Sequence, residues 1–307
     1  MEIRPHPKRE FMSRYERFEP LILDHTAIST AKHCKRSYFF QIVLGRVPKV
    51  TPVYFAFGSA YHKFREHLEL SDGDFKVALA AALKVWDRDQ GKDPEVGGRF
   101  DFMTRLRLMQ SCAVGYKQFE TERARKQIVV IQVEQPFNVE IGTGTGEYTS
   151  GRFDQIIRWN GKLWGRDFKT SSKPGIYYER GLDPNDQFTR YTYAEAKLCG
   201  ETIRGQLIET LFNAKGTKKG QVGPDIKTFL VERSGFQLSD WERDELHFRK
   251  ELDLARSEDV WPKNEKACGF CQFHSVCKMP SETGQMMKLQ SEFDVRPWDN
   301  TKVGVTE

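Results

Sequence analysis

The sequence predicts an α/β (α+β) protein in which helices precede and follow a central, mostly antiparallel sheet. Three observations carry this expectation. "FAFGSAYHKFREHLEL", "DFKVALAAALKVWDRD" and "RFDFMTRLRLMQSCAVGYKQFETERARK" place apolar residues at helical spacing. The pattern then changes to β-rich runs, "QIVVIQVEQPFNVEI" and the segment 150–172, divided by a "GTGTGE" turn. Helical spacing returns in "DQFTRYTYAEAKLCG" and "QLSDWERDELHFRKELDLARS", with two strand-like runs, "TIRGQLIETLFNA" and "DIKTFLVERS", between them. At the N-terminal end, Ser29 or Thr30 is a candidate cap for a helix running through "AKHCKRSYFFQIVLG".

Composition narrows the class. Of 307 residues, 38% are hydrophobic and 30% charged, as in soluble globular proteins. No run approaches the ~20 apolar residues of a membrane span. The first residues, "MEIRPHPKREFMSRYERFEP", are charged and lack the apolar core of a signal peptide. A cytoplasmic protein without structural disulfides is expected. The net charge of +5 permits a nucleic-acid partner without demanding one. The expected organisation is a basic arm over 1–28, one domain over 29–280 and a polar tail over 281–307.

The segment "SGRFDQIIRWNGKLWGRDFKTSS" (150–172) reads as a β-hairpin around Asn160-Gly161. A two-residue turn there sets Trp159 against Lys162 and, counting outward, Asp154 against Asp167. Directly opposed residues have Cβ atoms roughly 4.5–5.5 Å apart on one face. Lys169 shares that face by the two-residue period of a strand. Opposed like charges destabilise a strand pair, and a hard divalent cation with oxygen ligands offsets the repulsion. The plain alternative is a solvated face on which Arg152, Arg158 or Arg166 neutralises the acids. A bulge at Gly151 or Gly165 would shift the register.

"GRFD" followed by "RDFK" resembles the PD-(D/E)XK nuclease superfamily. Two further stretches strengthen the likeness, and all the motifs stand in the family's order. "GSAYH" (Gly58 to His62) is similar to the Gly-x-x-x-His helix that precedes the core in RecB-like members. "QFTRY" (Gln187 to Tyr191) is similar to their Gln-x-x-x-Tyr helix after it. The resemblance implies a restriction-endonuclease-like central mixed sheet flanked by helices. It also implies Mg²⁺ or Mn²⁺ held by His62, Asp154, Asp167 and the Phe168 backbone carbonyl. Asp154, Asp167 and Lys169 would be the catalytic set, with Gln187 and Tyr191 positioning DNA. Taken singly, His62 reads rather as an ordinary helix histidine and Tyr191 as core. Glu134 is a candidate supporting group.

Cys268, Cys271 and Cys277 form C-x2-C-x5-C, a spacing that chelates a metal from a tight turn. With His274 or Cys34 as fourth ligand, spacing alone fits a structural zinc site or an iron–sulfur cluster, zinc being the nearer reading. The resemblance favours the second. AddB-type nucleases and the small CRISPR-associated exonucleases called Cas four carry one cysteine before the core and three after it, around a 4Fe–4S cluster. "STAKHCKRSYFF" looks like their upstream segment, so Cys34, Cys268, Cys271 and Cys277 are the implied ligands of a clasp joining N- and C-terminal segments. Cys112 and Cys199 lie in helices and read as small apolar residues.

The resemblance implies a metal-dependent DNA exonuclease acting on ends or single strands in recombination, repair or CRISPR-type processing, in a bacterial or phage-infected cell. Lys215, Lys218 and Lys219 in the "KGTKKGQVGP" loop are candidate phosphate contacts. A G-x-x-x-x-G-K-[ST] phosphate loop is missing, so no nucleotide cofactor is implied and unwinding would need a helicase or recombination partner. The alternatives are a catalytically silent DNA- or partner-binding module on a nuclease fold and, more distantly, an RNA nuclease.

Overall fold

The computed structural model describes residues 17–18, 23–90, 103–214 and 223–298. The chain divides into two compact units. The larger comprises residues 51–146 and 151–244, and the smaller joins residues from 1–50, 147–150 and 245–307.

In the larger unit, helices α3 (Val53–Leu70), α4 (Phe75–Gln90) and α5 (Arg105–Arg125) come first. Phe57, Tyr61, Phe64, Ala78, Ala82 and Leu108 bury the apolar stripes read from the sequence in one core. Thr104 caps α5, accepting a hydrogen bond from the Arg107 amide at 3.2 Å. Strands β3 (Ile128–Glu140), β4 (Tyr148–Trp159) and β5 (Lys162–Ser171) follow, then helices α6 (Ile176–Arg180) and α7 (Asp186–Cys199). Strands β6 (Ile203–Phe212) and β7 (Asp225–Glu232) lead into α8 (Gly235–Glu258).

The sheet runs β4-β5-β6-β7, with β3 on the far side of β4. It is mixed rather than mostly antiparallel, because β5 and β6 pair in parallel. A parallel pair needs a long crossover, and α6 and α7 supply it. Central β5 is buried continuously from Leu163 to Phe168, as a strand covered on both faces should be.

The hairpin register follows the turn. Asn160 and Gly161 both have positive φ, 48° and 74°, the I′ geometry that Asn-Gly favours. Trp159 faces Lys162, and the pairing continues unshifted to Gln155 opposite Arg166. The irregularity at Gly165 affects only the β6 side of the strand. A Cβ at Gly165 would lie 2.2 Å from the Gln206 amide and 2.3 Å from the Glu195 carboxylate, so glycine makes room for both buried side chains.

The smaller unit holds α1 (His25–His33) and α2 (Lys35–Tyr38), then a π-helical turn over Phe39–Val43. Here the chain departs from expectation. Asp24, not Ser29 or Thr30, caps α1, accepting from the Ala27 amide at 2.8 Å. The helix does not run through Cys34, which is extended at φ −163° and ψ 114°. Within the expected polar tail, 281–298 is ordered. It forms α10 (Glu282–Glu292) and β8 (Phe293–Val295), and β8 pairs with β2 (Arg46–Pro48). Leu289 and Phe293 are buried, with Phe293 stacked on Phe273 at 4.8 Å. These few apolar residues outweigh the polar average of the segment. β1 (Leu23–Asp24) lies parallel to Thr149 and Ser150. A short 3₁₀ turn over Glu265–Phe270 and α9 (His274–Cys277) complete the unit.

Glu195 yields a stability test. Burial holds its carboxyl well above the ordinary range, with the charge of Asp167 adding to the effect and the 2.6 Å bond from Gln206 opposing it. Below the unfolded pKa of about 4.3, both states keep the proton. Above that value the folded state retains a proton that the unfolded chain releases. Stability then falls by up to about 1.4 kcal/mol per pH unit until the folded pKa is reached. Glu195→Gln removes this dependence. The melting temperature of the variant, measured against wild type, should rise progressively from pH 4.5 to pH 7, whereas a pH-independent difference would contradict it.

Candidate active site

The hairpin brings its two aspartates to one end of the paired strands. Asp154 and Asp167 follow the last ladder pair, Gln155 and Arg166. There the Asp154 carboxylate takes over from the ladder, and its Oδ2 accepts the Phe168 backbone N–H at 2.7 Å. His62 Nδ1 lies 3.4 Å from the same oxygen. Lys169 Nζ donates to Asp167 Oδ1 at 3.0 Å and lies 2.8 Å from Oδ2. Asp167 is 2% exposed, yet its Oδ2 receives no well-formed hydrogen bond. Gln187 Nε2, from the first turn of α7, reaches Asp167 Oδ1 at 3.5 Å.

The charges answer one another. Burial pushes both carboxyls upward. For Asp154, the charges of His62 and Lys169 and the Phe168 N–H outweigh burial and hold it below the usual range. For Asp167, burial and the neighbouring Asp154 prevail over Lys169, and its carboxyl is raised. Burial alone would lower Lys169 and His62, but the two aspartates raise both. A buried carboxylate, a second carboxylate and an imidazole are donor types that a hard divalent cation takes, although among the described residues no three His, Cys, Asp or Glu side chains stand together as a metal cage.

Tyr191, expected toward DNA, is half-buried, and its ring edge packs on Phe153 at 5.5 Å and Phe137 at 5.9 Å. Lys215, Lys218 and Lys219 lie outside the described residues. Glu134 stands in β3 with positive φ, 50°, and pairs with Arg152 at 3.3 Å. Burial, Asp154 and Glu66 push its carboxyl up to about 7.

Sequence reasoning missed the support behind the site. Phe168 lies between two guanidinium groups, Arg65 at 4.5 Å and Arg166 at 5.0 Å from its ring centre. Glu209, fully buried, bonds Arg166 and lies 3.3 Å from Arg65. Glu122 closes the network on Arg166 at 2.7 Å. Desolvated cation–π contacts are each worth about 2 kcal/mol. Removing one partner from such a buried ionic group costs about 3–5 kcal/mol. Arg65 and Glu66 follow His62 by one helical turn, a signal available in the sequence. Arg166 and Glu209 come together only through the parallel pairing of β5 and β6.

In the smaller unit, Cys34, Cys268, Cys271 and Cys277 line one small, mostly apolar cavity with Ser37, Asn264 and His274. The Asn264 N–H donates to Cys34 Sγ at 3.4 Å, and Cys268 Sγ donates to the Asn264 carbonyl at 3.7 Å. Burial raises the Cys277 thiol, and Cys271 and Cys34 raise it further while Arg36 and Lys263 oppose. Among the described residues, no three potential ligands stand close enough to form a metal cage. The four cysteines expected to hold a cluster therefore share a cavity but are not arranged as a closed clasp. Their thiol chemistry fits a four-thiolate group. Cys112 is buried in α5, as expected, while Cys199 is half-buried at the end of α7.

A mixed sheet flanked by helices, carrying an Asp on one hairpin strand and Asp-x-Lys on the next, defines a nuclease-type fold. The family model of the PD-(D/E)XK nuclease superfamily matches residues 23–278, and the chain belongs to that superfamily. The Gene 69 protein of Mycobacterium phage L5 is 27% identical over 151 residues, which span 47% of this chain and 43% of that protein. The chain thus matches under half the length of this relative. The crystal structure of a Eubacterium rectale protein, provisionally named an exonuclease, superposes with a TM-score of 0.52 at 13% identity. It covers 95% of this chain and 99% of that one, a likeness of fold. Among the described residues, no helix is long and apolar enough to cross a membrane.

Proposed function

We propose that the protein is a metal-dependent deoxyribonuclease that hydrolyses phosphodiester bonds at DNA ends or in single strands. The observation that carries this reading is the buried Asp167 carboxylate beside Asp154, with Lys169 in contact. Asp154, Asp167, the Phe168 carbonyl and His62 would hold Mg²⁺ or Mn²⁺. When bound, the cation supplies positive charge to the phosphate and acidifies the attacking water.

The chain's own residues supply the remainder. Lys169, kept charged by the two aspartates, orients water toward the phosphorus and stabilises developing negative charge. Gln187 reaches Asp167 from α7 and is placed to steer the scissile phosphate. Tyr191 fixes the helix that carries Gln187 through its packing on Phe137 and Phe153, so its role is to position. The Phe168 N–H holds Asp154 in its rotamer. Purified protein with Mn²⁺ should degrade linear or single-stranded DNA. Asp167→Ala and Lys169→Ala should each lower the rate by at least about 100-fold while leaving the circular dichroism spectrum unchanged. Undiminished degradation by either variant would contradict the assignment, and tight binding without cleavage under several metals would favour a silent binding module.

The shared cavity of Cys34, Cys268, Cys271 and Cys277 supports a 4Fe–4S cluster with a structural role in the smaller unit. None of the six cysteines is in a disulfide, in keeping with the reducing cytoplasm of a bacterial or phage-infected cell. Anaerobically purified protein should be brown with broad visible absorbance, lost in Cys271→Ser. Colourless, zinc-loaded protein would refute the cluster. Roles in recombination, repair or CRISPR-type processing, and a helicase partner, extend this reading.

A further inference from the structure

The C-terminal end of β5, just past Lys169, is flanked on both faces by aromatic rings that face outward. On one face, α3 crosses the strand closely enough that a Cβ at Gly58 would lie 3.2 Å from Thr170 Oγ1. One turn before Gly58 on that helix stand Tyr54 and Phe55, with ring centres 4.5 Å apart and exposures of 42% and 60%. Residues three and four apart on a helix are surface neighbours, so both rings lie beside the point where α3 meets β5.

On the other face, the tie is Tyr178. Its hydroxyl is 2.8 Å from Thr210 Oγ1, and Thr210 is the direct partner of Lys169 in the β5–β6 register. Its ring is held edge-on by Phe212. The adjacent Tyr177, on this anchored segment, is 87% exposed. Lys173 and Arg180, also exposed, stand at either end of the same short segment.

Phe55 and Tyr177 keep most of their surface in water, and large rings held exposed at the rim of a site are available to a ligand. Rings interleaved with cations, next to a site that handles phosphates, are what a single strand requires. Bases stack on aromatic faces irrespective of sequence, while cations follow the backbone. A duplex keeps its internal bases stacked on one another and out of reach of such rings.

We propose that Phe55 and Tyr177 are base-stacking residues that grip unpaired nucleotides on either side of the scissile phosphate. On this basis the site takes single-stranded DNA, or the frayed end of a duplex, in preference to paired DNA. The inference rests on the nuclease reading for its substrate and adds the two residues that select it.

The test is equilibrium binding of the full, cluster-loaded chain to fluorescein-labelled oligothymidylate and to a blunt hairpin duplex, with EDTA present so that nothing is cut. Wild type should bind the single strand more tightly. Tyr177→Ala and Phe55→Ala should each weaken single-strand binding on the order of tenfold, with duplex binding unchanged. Tyr177→Phe, which keeps the ring, should retain wild-type affinity. The proposal is overturned if both alanine variants bind the single strand like wild type. It is equally overturned if the loss is the same on duplex, or if the variants change only self-association in sedimentation. A separate cleavage assay distinguishes the two levels. Ring-dependent single-strand binding by a protein that cuts nothing would sink the nuclease reading and leave the stacking residues standing. Cleavage by a protein indifferent to these rings would do the reverse.

Discussion

Two carboxylates held side by side, Asp167 buried and Asp154 partly so, are the constraint around which the larger unit is arranged. Asp154 and Asp167 repel each other at the end of a hairpin whose turn leaves the pairing no slack. His62 and Lys169 offset that repulsion, and each arrives from a place the repulsion dictates. Lys169 comes from two residues further along the same strand, and His62 from the helix packed beside it. Even so, Asp167 Oδ2 keeps no well-formed hydrogen bond. Its partner there is the Lys169 ammonium at 2.8 Å, and buried carboxyls with perturbed titration concentrate where chemistry is done.

Phe168 joins this site to the structure behind it. Its N–H holds Asp154, and its ring is gripped by Arg65 and Arg166, which Glu209 ties together. β5 is thus fixed just past Asp167 through both the main chain and the ring of Phe168. A network of buried charges is a hazardous way to build a core, but it is stiff, and two carboxylates that must hold their spacing under mutual repulsion benefit from stiffness.

The hairpin was legible in the sequence because an Asn-Gly turn sets register locally, and the Asp154–Asp167 pairing is a matter of counting. The helices α3, α4, α5, α7 and α8 were legible by period. What escaped was non-local. The parallel pairing of β5 with β6 cannot be counted from any turn, so Arg166 and Glu209 gave no sign of meeting. The break at Cys34 was hidden by a helical pattern that continues through it, and the ordering of 281–298 by a polar average that masks Leu289 and Phe293. The four cysteines were named from spacing and resemblance. Their common cavity appears only once α1, the 3₁₀ turn and α9 are folded.

The central claim is that Asp154 and Asp167 form one cation site. Isothermal titration of the folded, metal-free protein with Mn²⁺ tests it without reference to any substrate. Binding of Mn²⁺ to wild type should be lost in both Asp154→Asn and Asp167→Asn, with each variant retaining the wild-type circular dichroism spectrum. Undiminished Mn²⁺ binding in either folded variant would show that the paired carboxylates are not the site, and would contradict the account.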